Sequence, residues 1–178
     1  MKINKLNENL ILRMAGGDSE AFRTLYEQTA SAVYGFALSI LKNKHDAEDV
    51  MHDAFIKTYT SAVTYKPSGN PMAWILTIVR NLCYNKIRAG KVCEDLSEYE
   101  DFAVGTSDHS DEVLDKMVLE TAMSILDAEE RQVVILHAMT GLKHREIAEI
   151  LDLSVNTVLS KYNRALKKMK NNIEGKGK

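Results

Sequence analysis

Proline and glycine are scarce in this chain of 178 residues, which contains two prolines and nine glycines. A many-stranded sheet needs frequent turns, and turns draw heavily on these two residue types. Residues that favour helices, such as Leu, Ala, Glu and Lys, are abundant instead. We therefore expect an all-α fold.

Cysteine is also scarce, since only Cys83 and Cys93 are present. They lie outside any Cys-x-x-Cys or paired-histidine pattern, so the sequence indicates neither a zinc site nor a disulfide scaffold. We expect both side chains to be ordinary reduced thiols.

Long apolar runs are missing as well. No stretch approaches the ~18 uninterrupted apolar residues of a membrane span, and the segment from Met1 to Asn9 is too polar for a signal peptide. We expect a cytoplasmic protein without membrane insertion. The sequence offers neither a nucleophile–base pairing nor a phosphate-binding glycine loop, so it predicts no enzyme, and it indicates no cofactor.

The chain has little net charge, −2 with a pI near 6.2, whereas a protein that binds DNA alone usually has a clearly basic surface. The charges are nevertheless sorted. Residues 71–93 contain four basic residues and no acid, residues 94–120 contain ten acids and one lysine, and residues 161–178 are basic again. The order predicts two basic regions separated by an acidic stretch.

The acidic stretch also marks a domain boundary. Residues 94–111 combine weak periodicity with Ser, Gly, Asp and dense negative charge, which is typical of a solvated, flexible linker. We predict two small helical domains, at residues 1–93 and 112–172, and a tail at 173–178.

Capping residues predict where the helices begin and end. Asp18 and Asp46 are expected to cap two helices of the first domain, the second with Asp49 in a capping box, and a further helix is expected from Met72 to about Arg88. In the second domain, Asp127 with Glu130 should start a helix that Gly141 ends. Shorter helices should follow over residues 142–151 and from Ser154 to about residue 170.

Residues 143–158 read as a helix-turn-helix. The inner positions are apolar, Ala148 permits close helix crossing, and Ser154 can cap the second helix. That helix places Thr157, Ser160, Lys161 and Arg164 on one face, where they suit base edges and phosphates in a major groove. The alternative is a helical hairpin with a solvated basic face.

The helix that begins near Asp46 carries an acidic outer face. Asp46, Asp49, His52 and Asp53 share it. Asp49 and His52 suggest a carboxylate-bridged metal site, but such a site requires a second acid-x-x-His helix, and the sequence contains none. The remaining interpretations are a solvated acidic helix start and a docking face for another protein.

The helix over residues 70–88 joins Trp74 to the polar and basic side chains of Arg80, Asn81, Tyr84 and Arg88. Interleaved aromatic and cationic residues suit melted DNA, because every base offers a face for stacking. The alternative is that Trp74 packs in the core and that the basic face is merely solvated.

Taken in order, these segments resemble the extracytoplasmic-function (ECF) sigma factors, the smallest group of the sigma-70 family. The resemblance rests on four motifs and covers both domains. They are Gly17-Asp-Ser-Glu-Ala-Phe-Arg-Thr-Leu-Tyr26, Asp46-Ala-Glu-Asp-Val-Met-His-Asp-Ala-Phe55, Ala73-Trp-Ile-Leu-Thr-Ile-Val-Arg-Asn81, and Glu146-Ile-Ala-Glu-Ile-Leu followed by Thr157-Val-Leu-Ser-Lys-Tyr-Asn-Arg-Ala165. The chain departs from the family pattern at His52, usually Gln, at Asp152, usually Gly, and at residues 159–161, usually basic-Ser-Arg.

The resemblance implies a transcription initiation factor whose partners are core RNA polymerase, promoter DNA and an anti-sigma factor. Asp46, Asp49, His52 and Asp53 would face the clamp helices of the largest polymerase subunit, and the second domain would lie at the flap. The Tyr65–Asn70 loop would hold a flipped base of the −10 element. The family's −10 positions correspond to Tyr65, Asn70, Arg80, Asn81, Tyr84 and Arg88, and its −35 positions to Asn156, Thr157, Ser160, Lys161 and Arg164.

The linker length bears on how the two domains would reach both elements. Extended at ~3.3 Å per residue the linker spans about 60 Å, and as a free coil it averages about 23 Å. Promoter elements one and a half turns apart are ~50 Å from each other. The family's solution is a polymerase channel that holds the acidic connector stretched.

Two rival functions remain at this stage. A stand-alone helix-turn-helix regulator would bind an operator tightly without polymerase, and a helical metalloenzyme would hold a metal at Asp46, Asp49 and His52.

Overall fold

The computed structural model describes residues 6–90 and 124–175, and all regular structure in these ranges is helical. The prediction of an all-α fold is confirmed. The chain divides into two compact units, one within residues 3–95 and the other mostly within residues 96–178. The predicted linker at residues 94–111, Cys93 and the apolar positions 113–122 lie outside the described residues, so the predicted domain limits remain predictions.

The first unit contains four α-helices and one 3-10 turn. These elements are α1 (Asn9–Ala15), α2 (Ser19–Leu41), α3 (Lys44–Ser61), the 3-10 turn (Ala62–Thr64) and α4 (Pro71–Arg88). Helix α2 packs against α1, α3 and α4, so it forms the centre of the unit.

The core of the first unit is built from apolar side chains of all four helices. Ile11 of α1, Leu25 and Phe36 of α2, and Ile75 and Leu76 of α4 are fully buried. Each such side chain contributes roughly 1.5–3 kcal/mol relative to an exposed position. This core holds α3 and α4 side by side and leaves their outer faces in solvent.

Two helix starts in this unit test the capping predictions. The prediction for Asp18 is confirmed, because its Oδ1 accepts hydrogen bonds from the backbone N–H groups of Glu20 and Ala21 at 3.0 and 3.1 Å. The prediction that Asp46 caps α3 is wrong. Asn43 is the cap, since its Oδ1 accepts from the N–H of Asp46 at 2.9 Å and the helix begins two residues earlier than Asp46.

The second unit contains three α-helices in the described range. These are α5 (Ala128–Thr140), α6 (His144–Leu151) and α7 (Val155–Gly175). Their shared core includes Ile135, Leu136, Ile147, Val158 and Ala165, all fully buried.

Most predicted helix limits of the second unit are confirmed. Asp127 and Glu130 form the capping box of α5, with hydrogen bonds of 2.9 and 3.3 Å, and Gly141 ends the helix in the left-handed conformation. Ser154 caps α7, because its Oγ accepts from the N–H of Thr157 at 3.1 Å. Helix α6 begins at residue 144 rather than 142, since Leu142 is buried in the turn.

The last helix is longer than expected and ends at Gly175 rather than near residue 170. None of the helices described here combines the length and the apolar character that crossing a membrane would require.

Candidate functional site

The acidic face of α3 is only partly directed outward. The side chain of Asp49 is 66% exposed, and His52 and Asp53 are also exposed. Asp46 is 13% exposed and pairs with Lys86 of α4, with Oδ1 and Nζ 2.7 Å apart. Lys86 Nζ also lies 2.9 Å from Asp49 Oδ2. The hydrogen bond and the charge of Lys86 lower the pKa of Asp49, so this outer carboxylate stays ionised.

An apolar surface continues from the acidic one along the same line of α3. Ile56 is 63% exposed and Val63, in the 3-10 turn, is 70% exposed. Together with Asp49 these residues recur every seven positions, which places them on one face of a helix. Tyr59 is also largely exposed beside them. This surface was not predicted from the sequence, although the seven-residue spacing is visible there, because spacing alone does not show which side chains are exposed.

The Tyr65–Asn70 loop connects the 3-10 turn to α4 and is anchored at both ends. Tyr65 is buried, and its ring lies 4.7 Å from that of Trp74. Burial and a hydrogen bond to Glu8 raise the pKa of the Tyr65 phenol. At the other end, Asn70 Oδ1 accepts from the N–H of Ala73 at 3.1 Å and caps α4. The ends of the loop are therefore held, and Ser68 and Gly69 between them are exposed.

Helix α4 carries the other predicted −10 residues on its outer side. The guanidinium of Arg80 lies 5.1 Å from the centre of the Tyr84 ring, and Tyr84 is exposed. Asn81 and Arg88 are exposed beside them. Trp74, six residues before Arg80, is half-buried, and at ~1.5 Å per residue the two lie roughly 9 Å apart along the helix. The Tyr65–Trp74 pair thus lies at the loop end of α4, and the Arg80–Tyr84 pair lies further along the helix.

The predicted −35 residues of α7 fall into two groups. Asn156 and Ser160 are exposed. Lys161 is mostly buried, with its Nζ 2.5 Å from Glu129 Oε2. Arg164 Nε lies 3.8 Å from Glu130 Oε1. The hydroxyl of Thr157 is 2.8 Å from that of Ser154 in the helix cap. Three of the five are therefore engaged within the unit.

Glu130 is the centre of these contacts. Its side chain is fully buried, and Lys168 Nζ lies 2.6 Å from its Oε2. Lys161, Arg164 and Lys168 follow one another at spacings of three and four, so they form one stripe of α7 that faces the start of α5. We call this stripe, with Glu129 and Glu130, the ion-paired seam.

A second stripe of α7, about 100° around the helix from the seam, is the more accessible one. It consists of Asn156, Ser160, Asn163 and Lys167, all exposed and spaced by four, three and four. Asn163 and Lys167 were not among the predicted −35 residues. Their spacing from Asn156 was visible in the sequence, but the ion-paired seam that engages the other stripe with the start of α5 was not.

A cluster of rings holds α7 against the turn before α6. His137 and His144 stack with centres 5.0 Å apart, and Tyr162 meets both edge-on at 4.8 and 4.9 Å. His137 Nδ1 lies 2.9 Å from the carbonyl oxygen of Leu142. Desolvation, and secondarily His137, lower the pKa of His144. The cluster packs Tyr162 of α7 against His137 of α5 and His144 at the start of α6.

Across residues 6–90 and 124–175, His, Cys, Asp and Glu nowhere gather in a group of three or more that could hold a metal ion. Asp46 and Asp49 are both bound to Lys86, whose positive charge opposes a metal cation at that place.

Two family models match this chain in the order of its units. Sigma-70 region 2 matches residues 25–92, and Sigma-70, region 4, matches residues 116–169. The first match contains α3, the loop and α4. The second contains the helix-turn-helix.

Curated relatives match along nearly the whole chain. The ECF RNA polymerase sigma factor SigK of Mycobacterium sp. (strain KMS) is 26% identical over 170 residues, covering 91% of this chain and 88% of the relative. SigK of Mycobacterium tuberculosis (strain ATCC 25177 / H37Ra) is 25% identical over 177 residues, covering 93% and 92%.

Two solved structures share the fold. CnrH, in complex with the cytosolic domain of CnrY, has a TM-score of 0.65 at 23% identity and covers 94% of this chain and 97% of that one. The sigma factor RpoE of Bartonella quintana, in complex with the anti-sigma factor NepR, has a TM-score of 0.63 at 23% identity and covers 86% and 96%. With both regions matched in order and full-length relatives of one kind, the chain belongs to the ECF sigma factors of the sigma-70 family.

Proposed function

We propose that this sigma factor binds core RNA polymerase through the outer face of α3, directs it to promoters by recognising −10 and −35 elements, and promotes promoter opening. The observation that carries the proposal is the position of region 2, with an exposed acidic and apolar face, ahead of an exposed helix-turn-helix. Bond formation belongs to the polymerase, and the protein acts in the cytosol, where polymerase and chromosome lie.

The docking face consists of Asp49, His52, Asp53, Ile56 and Val63. Its apolar residues would be buried in the interface, and its acidic residues would orient the partner through complementary charge, as is usual in protein interfaces. Asp46 serves the face indirectly, because its ion pair with Lys86 ties α3 to α4. The clamp helices of the largest subunit are the proposed partner, and the flap is the proposed site of the second unit.

Promoter opening is assigned to the loop and α4. A flipped base costs a few kcal/mol of lost stacking and pairing, and stacking on a protein ring returns about 1–3 kcal/mol per base. Trp74, half-buried against Tyr65, would provide such a ring beside the exposed loop, and Tyr84 with Arg80 would provide another further along α4. Asn70, Asn81 and Arg88 would bind the same strand.

The −35 element is assigned to the exposed stripe of α7. Asn156 and Ser160 stand near the start of the helix, where a recognition helix contacts base edges, and Asn163 and Lys167 extend the contact. Arg164 contributes from the rim, since its side chain is 59% exposed despite its approach to Glu130.

An anti-sigma factor is the proposed regulator. The sigma factor RpoE of Bartonella quintana was solved in complex with the anti-sigma factor NepR, and CnrH in complex with the cytosolic domain of CnrY. The exposed apolar residues Ile56, Val63 and Leu159 offer surfaces for a masking protein in both units.

The test is retention of core RNA polymerase by the immobilised full-length chain. Asp49→Lys and Ile56→Lys should each reduce retention at least tenfold, because they place a charge at the centre of the docking face. Glu27→Lys is the matched control, since Glu27 is an exposed acid of α2, outside that face of α3. Ile56→Lys leaves the Lys86 ion pairs untouched, so an altered fold does not explain its effect. Equal retention by all four proteins, or none by the wild type, would overturn the proposal.

A further inference from the structure

A carboxylate far from the loop in sequence determines how the loop is held. Glu8 Oε1 accepts a hydrogen bond from the Tyr65 hydroxyl at 2.5 Å and from the N–H groups of Ser68 and Gly69 at 2.8 and 3.1 Å. The donors are 57 to 61 residues away along the chain. One oxygen atom thus gathers three donors from one loop.

The loop has few other restraints in its middle. Residues 66–69 are exposed, and Gly69 adopts φ +77°, which a residue with a side chain adopts only under strain. An exposed segment of this kind ordinarily samples many conformations. Hydrogen bonds to an ionised carboxylate are about twice as strong as neutral ones, so Glu8 selects one conformation from this set.

Glu8 also holds the Tyr65 ring, which packs against Trp74 beside the loop. The Tyr65 ring is held between the carboxylate at its hydroxyl and the Trp74 ring at 4.7 Å. Loss of the carboxylate would remove the acceptor of the two backbone N–H groups and leave the phenol only its contact with Ser68. The loop and its stacking surface would then change together.

We propose that Glu8 is a positioning residue, which presets the Tyr65–Asn70 loop to receive an unpaired base of the promoter. The inference rests on the proposed role of the loop in −10 recognition. A preset loop avoids the ordering cost that a loose loop would meet when the base arrives. Glu8 itself need not contact DNA, because its carboxylate faces the loop's own donors.

The test measures, in the holoenzyme, whether the effect of substituting Glu8 depends on the presence of the flipped −10 base. Templates would carry a promoter selected from a random library by the wild-type holoenzyme, either intact or with a single abasic position in the −10 strand. Open complexes would be quantified by permanganate reactivity of unpaired thymines. The variants are Glu8→Ala and Glu8→Gln, and Glu27→Gln is the matched control, since Glu27 is an exposed carboxylate paired with Arg23 on α2.

With the intact template, Glu8→Ala should lose about tenfold in open-complex formation, Glu8→Gln should lose less because its amide oxygen still accepts, and Glu27→Gln should match the wild type. At the abasic position that the wild type is most sensitive to, Glu8→Ala should lose nothing further, because the base and the preset loop act as one unit. Retention of core polymerase should be unchanged in all variants.

Two outcomes would overturn the inference while leaving the proposed function intact. One is full activity of Glu8→Ala. The other is an equal loss on intact and abasic templates, which would reveal a general folding role. A wild-type holoenzyme indifferent to every abasic position would instead defeat the proposed role of the loop, and the inference with it.

Discussion

The pKa of His144 is lowered by the packing around its ring. Its ring stacks on His137 and meets Tyr162 edge-on, its Nε2 is buried without a hydrogen-bond partner, and its pKa lies below the ordinary value of 6.5. The folded ring therefore favours the neutral form, whereas the ring in the unfolded chain takes up a proton near pH 6.5.

We predict that the second unit loses stability on acidification. As the pH falls below about 6.5, His144 binds a proton in the unfolded state but not yet in the folded state. The free energy of unfolding therefore decreases until the pH passes the lower pKa that His144 has in the folded state. Urea titrations at pH 7.5 and 5, followed by NMR signals of residues 130–165, would measure it. His144→Phe keeps a ring and should flatten the dependence. If the free energy of unfolding of the His144→Phe variant depended on pH as strongly as that of the wild type, the dependence would not be due to His144.

We predict that Cys83 is chemically inert in the folded protein. It is fully buried, and desolvation raises its pKa from 9.0 to about 12, so the reactive thiolate is nearly absent at pH 8. A Cys93→Ser variant, which leaves one thiol, should react with an aromatic disulfide reagent only after urea is added. Stoichiometric reaction of the native variant would show that this prediction is wrong.

At the scale of helices, the ion-paired seam joins the start of α5 to α7. Glu130 caps α5 through its backbone contacts with Asp127 and binds Lys168 from within the core. Removal of a cap costs about 1 kcal/mol. Removal of one partner of a buried pair costs up to ~5 kcal/mol, but less here because Lys168 is partly exposed and can be rehydrated.

We predict that Glu130→Ala lowers the free energy of unfolding of the second unit by about 2 kcal/mol. Glu149→Ala is the control, because Glu149 forms an exposed pair with Arg145 on α6, and such pairs contribute little. Chemical denaturation followed by NMR signals of α5 would compare them. Equal effects of the two substitutions would argue against a structural role for the seam.

The helices also show what the sequence could and could not predict. Asp18, Asp127 and Gly141 were predicted correctly because a cap acts on residues two to four positions away. Asp46 was misassigned because Asn43, another good cap, stands three residues before it. Helix α7 was predicted to end near residue 170. It continues to Gly175, because residues 171–174, Asn-Asn-Ile-Glu, contain no strong stop signal.

The proposed site residues were chosen by residue type and helical spacing, which do not reveal the contacts that these residues make within each unit. The faces of α3, α4 and α7 follow from helical spacing. The pair of Lys168 with Glu130 joins residues 38 apart, and that of Glu8 with Tyr65 joins residues 57 apart. Such contacts depend on the tertiary packing of each unit, so local sequence patterns do not predict them.

At the scale of the whole molecule, the chain has two units with separate cores and a net charge of only −2. A small charge gives little long-range attraction to DNA. Two weak DNA-binding units become effective when a larger assembly holds both near their targets, because the second contact then gains from a high effective concentration.

We predict that the chain alone shows no sequence-specific binding to a promoter fragment at physiological salt, while the holoenzyme binds it tightly. Fluorescence anisotropy with labelled promoter and scrambled DNA would measure both. A tight, specific complex without polymerase would favour the rival function, a stand-alone regulator.

The ion-paired seam has one more consequence, for the ionic-strength response of promoter binding. When a phosphate takes Lys161 or Lys168 from its carboxylate, the abandoned carboxylate attracts a cation from solution and offsets the one that DNA releases. The logarithm of −35 affinity should therefore fall less steeply with salt than the number of cations on α7 suggests. Amides and hydroxyls would then carry more of the recognition than electrostatic attraction does.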